Sequence, residues 1–60
     1  MNQEKEAYVF FAPGFEEIEA VTPVDILKRG GVKVTTISIT NELKVNGAHN
    51  IEIICDSLIE

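Results

Sequence analysis

The segment that most constrains the fold is AYVFFA, residues 7–12, in which every side chain is apolar or aromatic. A strand with one face in water alternates apolar and polar residues, whereas a strand covered on both faces does not. We therefore predict a β-strand that is buried on both faces, as in the middle of a parallel sheet. Pro13 and Gly14 follow the run and end this strand.

Residues 15–31, FEEIEAVTPVDILKRGG, predict a helix. Ala20, Val24 and Leu27 recur at helical spacing, with Val21 beside them, and form an apolar stripe that can lie on a sheet. Acidic residues occupy the first turns and basic residues the last turn, in agreement with the helix dipole. The glycine pair at positions 30 and 31 predicts a left-handed C-terminal cap.

Pro23 lies inside this helical pattern and has no N–H to donate to the carbonyl of Glu19. We favour a single helix kinked at Pro23, because the apolar stripe continues through it in phase. The alternative is an N-cap at Thr22 and a second, shorter helix that begins at Pro23.

Two further patterns follow the helix. Residues 32–39, VKVTTISI, predict a β-branched strand that pairs in parallel with the first strand. Residues 43–45 and 49–55 are short apolar runs on either side of Asn46 and Gly47, and this pattern predicts a hairpin with a turn at the Asn-Gly pair. The order strand, helix, strand, hairpin is typical of the first part of an open α/β sheet.

Length, charge and cysteine content limit what the chain can do. A chain of 60 residues buries only about 60% of its unfolded surface and is marginal as a lone domain. We therefore expect a fragment, or a chain that folds against something else. The net charge of −5, with no basic stripe, argues against nucleic acid. No apolar run is long enough for a membrane span, so we expect a cytoplasmic protein. The sequence shows no plausible quartet of metal ligands, so we expect no metal.

In open α/β sheets, ligands bind where the strands end, and here the first such turn is residues 12–19. It lacks the glycine patterns of nucleotide sites, and Glu16, Glu17 and Glu19 would repel phosphate. These carboxylates either complement the helix dipole at the surface or include one that is partly desolvated, with a raised pKa. His49 predicts a surface or interface role, and Cys55 a buried structural thiol.

The strings GFEEIEAVTPVDIL, residues 14–27, and VNGAHNIEIICD, residues 45–56, are more specific than any short motif. With the strands around them, they resemble the N-terminal third of the ThiJ/PfpI superfamily, in the branch of the parkinsonism-associated protein deglycase and its bacterial homologues. The resemblance extends from Tyr8 to about Asp56. It implies a flavodoxin-like, class I glutamine amidotransferase-like three-layer α/β sandwich, usually a homodimer. Residues 1–60 would be an N-terminal fragment of one such domain.

The resemblance also implies roles for individual residues. Glu19 matches the carboxylate that hydrogen-bonds a nucleophilic Cys, which would come from residues outside this chain. Gly14 and Glu16 match substrate-binding positions, and Ile18, Arg29 and His49 match the dimer seam. The implied activity is a cysteine-dependent hydrolase or lyase, deglycase-like or glyoxalase-like, which acts on 2-oxoaldehydes or glycated adducts without a cofactor. Superfamily members are also associated with chaperone, oxidative-stress and thiazole-biosynthesis roles.

Two other interpretations remain open at the level of sequence. In a receiver-type module, the paired acids after the first strand would hold Mg²⁺ and Asp56 would accept a phosphoryl group. Glutamates after a Pro-Gly turn suit the tight octahedral geometry of Mg²⁺ poorly. The chain could also be a non-catalytic structural half-domain.

Overall fold

The computed structural model describes residues 5–60. The elements, in chain order, are β1 (Glu6–Phe11), α1 (Glu17–Arg29), β2 (Lys33–Ser38), β3 (Lys44–Asn46), β4 (Glu52–Ile54) and β5 (Ser57–Leu58). They form a three-stranded sheet with the order β1-β2-β5 and a separate two-stranded hairpin, β3-β4. The predicted strand, helix, strand and hairpin are therefore confirmed, and β5 is an additional strand that the sequence analysis did not predict.

Strands β1 and β2 pair in parallel along their whole length, from Glu6 opposite Lys33 to Phe11 opposite Ser38. This confirms the predicted parallel pairing across the helical crossover. Strand β5 adds to the other side of β2, also in parallel, through Ile37 opposite Ser57. The carboxyl ends of β1 and β2 consequently lie side by side, at the edge where α1 begins.

Helix α1 is continuous, with Pro23 inside it, so the single helix is confirmed over the pair of shorter ones. It begins at Glu17, two residues later than the predicted segment, and Glu16 precedes it in an extended conformation. At the other end Gly31 has φ +85°, the left-handed conformation predicted for the cap. Within residues 5–60, α1 is neither long nor apolar enough to cross a lipid bilayer.

The hydrophobic core lies between one face of the large sheet, α1 and the hairpin. Phe11, Val45 and Cys55 are its fully buried members, which confirms the prediction for the Cys55 thiol. The side chains that pack around them are Val9, Phe15, Ala20, Val24 and Ile53. The rings of Phe11 and Phe15 meet edge to face, with 4.9 Å between their centroids. This contact packs β1 against the turn that follows it.

The prediction that β1 is central and buried on both faces is wrong for this chain. Strand β1 is an edge strand, and Tyr8 and Phe10 are 60% and 56% exposed. The helix and the hairpin cover only the face that carries Val9 and Phe11. An apolar run shows that both faces suit burial, but what covers them depends on the elements present. Among residues 5–60, no element covers the second face of β1.

The hairpin is correct, but its predicted two-residue turn is not. Asn46 is the last residue of β3, and residues 47–51 form the loop before β4. The loop is closed by the Gly47 N–H, which donates to the Ile51 carbonyl at 2.9 Å. Its left-handed residue is Asn50, with φ 64°, and not Gly47. Position 47 requires a glycine for another reason, because the Glu17 side chain occupies the space where a Cβ would lie.

Candidate functional site at the start of the helix

The turn between β1 and α1 is bound to the hairpin through the main chain. The Gly14 N–H donates to the Asn46 carbonyl at 2.8 Å, and the Ala48 N–H donates to the Phe15 carbonyl at 2.7 Å. Gly14 itself has φ +85°, a conformation that other residues adopt only with strain. The first strand-to-helix turn and the hairpin loop therefore form one connected surface.

Glu17 is the centre of this surface. Its side chain is buried, and its Oε2 accepts the backbone N–H of His49 at 2.7 Å and, in a longer contact, that of Ile51 at 3.4 Å. Its Oε1 lies 2.8 Å from Nδ1 of the His49 ring. The hydrogen bond to the His49 side chain outweighs the opposing effect of burial and lowers the pKa of Glu17 to about 2. The one buried carboxylate of the turn thus has a lowered pKa, and the predicted rise is wrong for it.

His49 lies in the hairpin loop, and most of its ring surface is exposed. The hydrogen bond to Glu17, with the negative charges of Glu17 and Glu16, raises the pKa of His49 above its ordinary value. The Glu16 Oε1 lies 4.0 Å from His49 Nδ1. Glu17 and His49 form an ion pair, and the Glu16 carboxylate lies beside it.

Gly47 makes this arrangement possible. A Cβ at position 47 would lie 2.6 Å from Cδ of Glu17, inside the volume that the carboxylate occupies. The absence of a side chain at Gly47 lets the Glu17 carboxylate reach the loop N–H groups.

The structure places the predicted site residues in three different settings. Gly14 and Glu16 lie in the turn, beside the Glu17–His49 pair. Glu19 and Ile18 are exposed, and Glu19 does not join this cluster. Arg29 is at the far end of α1, where its Nε donates to Asp25 at 3.1 Å.

Among the three glutamates at the start of the helix, the residue that points inward within residues 5–60 is Glu17, not Glu19. A contact between Glu19 and a cysteine outside this chain stays a prediction. Glu17 does not stand out from its neighbours in the sequence, because its partners, His49 and Ile51, are 32 and 34 residues away along the chain. Gly47 faces the Glu17 carboxylate across the turn and the hairpin loop. This relationship can be recognised only once the register of the hairpin is known.

The parallel strands, the crossover helix and the turn at the carboxyl end of β1 define an α/β protein of the flavodoxin-like class. Residues 5–60 match the profile of the DJ-1/PfpI family, and the chain belongs to this family. This confirms the resemblance on which the residue assignments were based.

Similar proteins and solved structures agree with this membership. The chain is 38% identical over 55 residues to protein DJ-1 homolog B of Arabidopsis thaliana, covering 92% of this chain and 13% of that protein. It is also 38% identical over 56 residues to the Parkinson disease protein 7 homolog of Danio rerio, covering 93% and 30%. Toxoplasma gondii DJ-1, in its oxidized form, superposes with a TM-score of 0.90 at 33% identity, covering 92% of this chain and 30% of that one.

A DJ-1 superfamily protein of Salmonella typhimurium superposes with a TM-score of 0.87 at 39% identity, covering 90% of this chain and 29% of that one. The chain thus spans less than a third of the length of each of these relatives. The similarity extends over nearly all of this chain and over a minor part of each relative.

Proposed function

We propose that this chain is the N-terminal part of one DJ-1/PfpI-type domain that carries out a cysteine-dependent reaction. The substrates are 2-oxoaldehydes or glycated adducts, and the activity is deglycase-like or glyoxalase-like. The nucleophilic cysteine comes from residues outside this chain. Glu19 is the catalytic carboxylate that hydrogen-bonds this cysteine, and Gly14 and Glu16 form part of the substrate pocket.

The observation that carries the proposal is the direction of Glu19. Glu17 is fixed against the hairpin loop by its hydrogen bonds, and Glu19, two residues later, points roughly 200° away around the helix. Its side chain is exposed, in the first turn after the carboxyl end of β1. Ligands of open α/β sheets bind at that edge. Glu19 is therefore free to meet a group supplied by another part of the domain.

The chemistry proposed for Glu19 requires its protonated form. A neutral carboxylic acid donates a hydrogen bond to the cysteine sulfur and favours the thiolate, whereas an ionised carboxylate would oppose it. The thiolate then adds to the aldehyde carbon of the substrate, the π electrons of the C=O bond move to its oxygen, and this oxygen takes up a proton to give a hemithioacetal. Cys55 is not a candidate for this role, because it is buried, and burial is the main cause of its raised pKa.

The exposed apolar surface supports a larger domain. Tyr8 and Phe10 project from the uncovered face of β1, and this chain covers only 30% of the Danio rerio and Toxoplasma gondii relatives. We propose that the remainder of the domain covers this face and that two such domains form a homodimer in the cytoplasm. Ile18 is 77% exposed and, with Arg29 and His49, forms the proposed seam.

A chimera tests the catalytic proposal. Residues 5–60 replace the matching segment of the Danio rerio relative, and the turnover of methylglyoxal and the pKa of the reactive thiol are measured. Glu19→Asp shortens the reach of the carboxylate, so we expect a higher thiol pKa and a loss of turnover of at least about tenfold, a part of the roughly 10²–10⁴-fold that general acid–base catalysis contributes. Glu52→Asp changes another exposed carboxylate, on β4, and should leave both quantities unchanged. An unchanged thiol pKa in Glu19→Asp would contradict the role of Glu19.

The seam is tested separately in the same chimera. Ile18→Lys places a charge in the proposed interface and should convert the dimer to a monomer in light scattering. Ile26→Lys, at a residue 60% exposed on the same helix, is the matched control and should leave the dimer intact. A dimer in both variants would exclude Ile18 from the seam.

The receiver-type alternative has less support. The Asp56 Oδ2 accepts hydrogen bonds from the Thr36 N–H at 2.9 Å and the Thr36 hydroxyl at 3.1 Å. The carboxylate thus satisfies the Thr36 N–H of β2 just before β5 begins to pair with that strand at Ser57. They favour a structural role for Asp56 over that of a phosphoryl acceptor.

A further inference from the structure

Three side chains with metal-binding groups meet where α1 begins. Ligand atoms of Glu16, Glu17 and His49 all lie within 4.8 Å of one another. We propose that these residues bind a divalent transition-metal ion, with Zn²⁺ as the representative ion. One imidazole nitrogen and two carboxylate oxygens suit such an ion, whereas Mg²⁺ and Ca²⁺ prefer oxygen ligands alone. The site uses residues of this chain only and needs no cysteine, but it shares Glu16 with the proposed substrate pocket and His49 with the proposed dimer seam.

The distances require small adjustments to receive the ion. Zinc bonds to nitrogen and oxygen of about 2.0–2.2 Å place neighbouring ligand atoms about 3–3.5 Å apart. Glu17 Oε1 and His49 Nδ1 are 2.8 Å apart and must separate slightly. Glu16 Oε1 is 4.0 Å from the same nitrogen, and its half-exposed side chain can rotate toward it. The ion then occupies the position of the proton that Glu17 and His49 share.

Glu17 is already oriented for this role. Its Oε2 accepts the backbone N–H of His49 at 2.7 Å, so its Oε1 is directed toward the His49 ring. Hydrogen bonds that fix a ligand in this way strengthen metal sites, because the ligand loses less freedom when the ion binds. The contact with Gly47 holds the carboxylate from the other side.

The local charge also favours a cation. A helix N-terminus repels cations, but Glu16 and Glu17 place two carboxylates at the start of this helix. The basic residues of α1, Lys28 and Arg29, are in its last turn. His49 and Glu16 are exposed on their outer sides, so the ion can enter and keep water as a further ligand.

Calorimetric titration of the 60-residue chain with ZnCl₂, at a mildly alkaline pH because protons compete with zinc for the histidine, tests the site directly. We expect saturable binding of a single ion per chain. In the ¹H–¹⁵N spectrum, the His49 ring and the amides at the start of α1 should shift, and Mg²⁺ should produce much weaker shifts. His49→Gln and Glu16→Gln should each weaken zinc affinity at least tenfold.

Glu52→Gln is the matched control, because it removes the same charge from the hairpin but lies outside the cluster. Glu16→Gln also guards against a folding artefact, since it changes an exposed side chain and leaves the Glu17 hydrogen bonds in place. The proposal is overturned if zinc binding is not saturable, or if Glu16→Gln and Glu52→Gln weaken it equally. Equal affinities for Mg²⁺ and Zn²⁺ would also overturn the proposal, because they would show that the carboxylates attract cations without selecting a transition metal.

Discussion

The carboxylate of Glu17 occupies the space beside Gly47 where any other residue would carry its Cβ. From this position it accepts the backbone N–H of His49 and faces the His49 ring. A single side chain thereby joins the start of α1 to the loop of a hairpin more than 30 residues away. The strand-to-helix turn is thus held by this contact as well as by the main-chain hydrogen bonds of Gly14 and Phe15.

Gly47→Ala should destabilise the chain by about 1–3 kcal/mol, the usual cost of forcing an extra group into packed space. The new Cβ collides with Glu17 and displaces it from the loop N–H groups. Urea unfolding followed by circular dichroism measures the change in free energy. Ala48→Ser, at the exposed neighbouring residue, is the control and should have little effect.

A double-mutant cycle identifies the cause. In a Glu17→Ala background the space beside Gly47 is empty, so Gly47→Ala should cost much less than it does alone. Equal costs in both backgrounds would show that the loop conformation, and not Glu17, requires glycine at this position.

The Glu17–His49 pair should give the helix start a maximum of stability between pH 4.5 and 6.5. The pKa of Glu17 falls from 4.5 to about 2 on folding, so its contribution is complete above pH 4.5 and is lost toward pH 2. The pKa of His49 is raised above 6.5, so its contribution is complete below pH 6.5 and is lost as the pH rises through the folded value. Amide hydrogen exchange of Ala48 and Ile51 in metal-free buffer measures this profile.

The ring of His49 gives a direct test of the same pair. In an NMR titration, Glu17→Gln should lower the pKa of His49 toward 6.5, because the hydrogen bond and the charge of Glu17 are the main causes of its rise. Asp25→Asn removes a charge farther along α1 and should leave the titration unchanged. A His49 pKa that does not respond to Glu17→Gln would exclude the ion pair in solution.

Much of the fold follows from local sequence patterns, whereas the site does not. The apolar run before Pro13 and the stripe through Val24 predict β1 and α1, because each pattern is set by residues a few positions apart. The pairing of Glu17 with His49 depends on how the hairpin folds back onto the turn, and a one-residue change in its register would remove it. The Asn-Gly pair predicted the wrong turn. Gly47 is needed for the close approach of the Glu17 side chain, and Asn50 is the left-handed residue of the loop.

Asp56 should stabilise the sheet through Thr36. Its Oδ2 accepts the buried Thr36 N–H, and its own N–H donates to the Thr36 carbonyl at 3.0 Å. Asp56→Ala leaves the Thr36 N–H without this acceptor, which should cost about 1–3 kcal/mol in urea unfolding. Asp56→Asn keeps an acceptor oxygen and should cost clearly less. Equal losses in the two variants would mean that the charge of Asp56, and not its hydrogen bond, is what matters.

Pro23→Ala should stabilise α1. Proline inside a helix removes a hydrogen bond to the carbonyl four residues earlier, which is that of Glu19 here. After allowing for the greater freedom of alanine in the unfolded chain, we expect a gain of about 1–2 kcal/mol in thermal or urea unfolding. Thr22→Ala, at an exposed position beside it, measures the effect of helix propensity alone and should give a smaller gain.

Phe10 distinguishes the chain by itself from a complete domain. It is 56% exposed on the uncovered face of β1, whereas Phe11 on the opposite face is 1% exposed. Phe10→Ala should therefore cost less than about 1 kcal/mol in the 60-residue chain, because little apolar contact is lost. In the chimera, where the proposed remainder of the domain packs on this face, the same change should cost about 3–5 kcal/mol, as for other core phenylalanines. Phe11→Ala should be severe in both settings, and an equally small cost of Phe10→Ala in both would show that the rest of the domain does not cover β1.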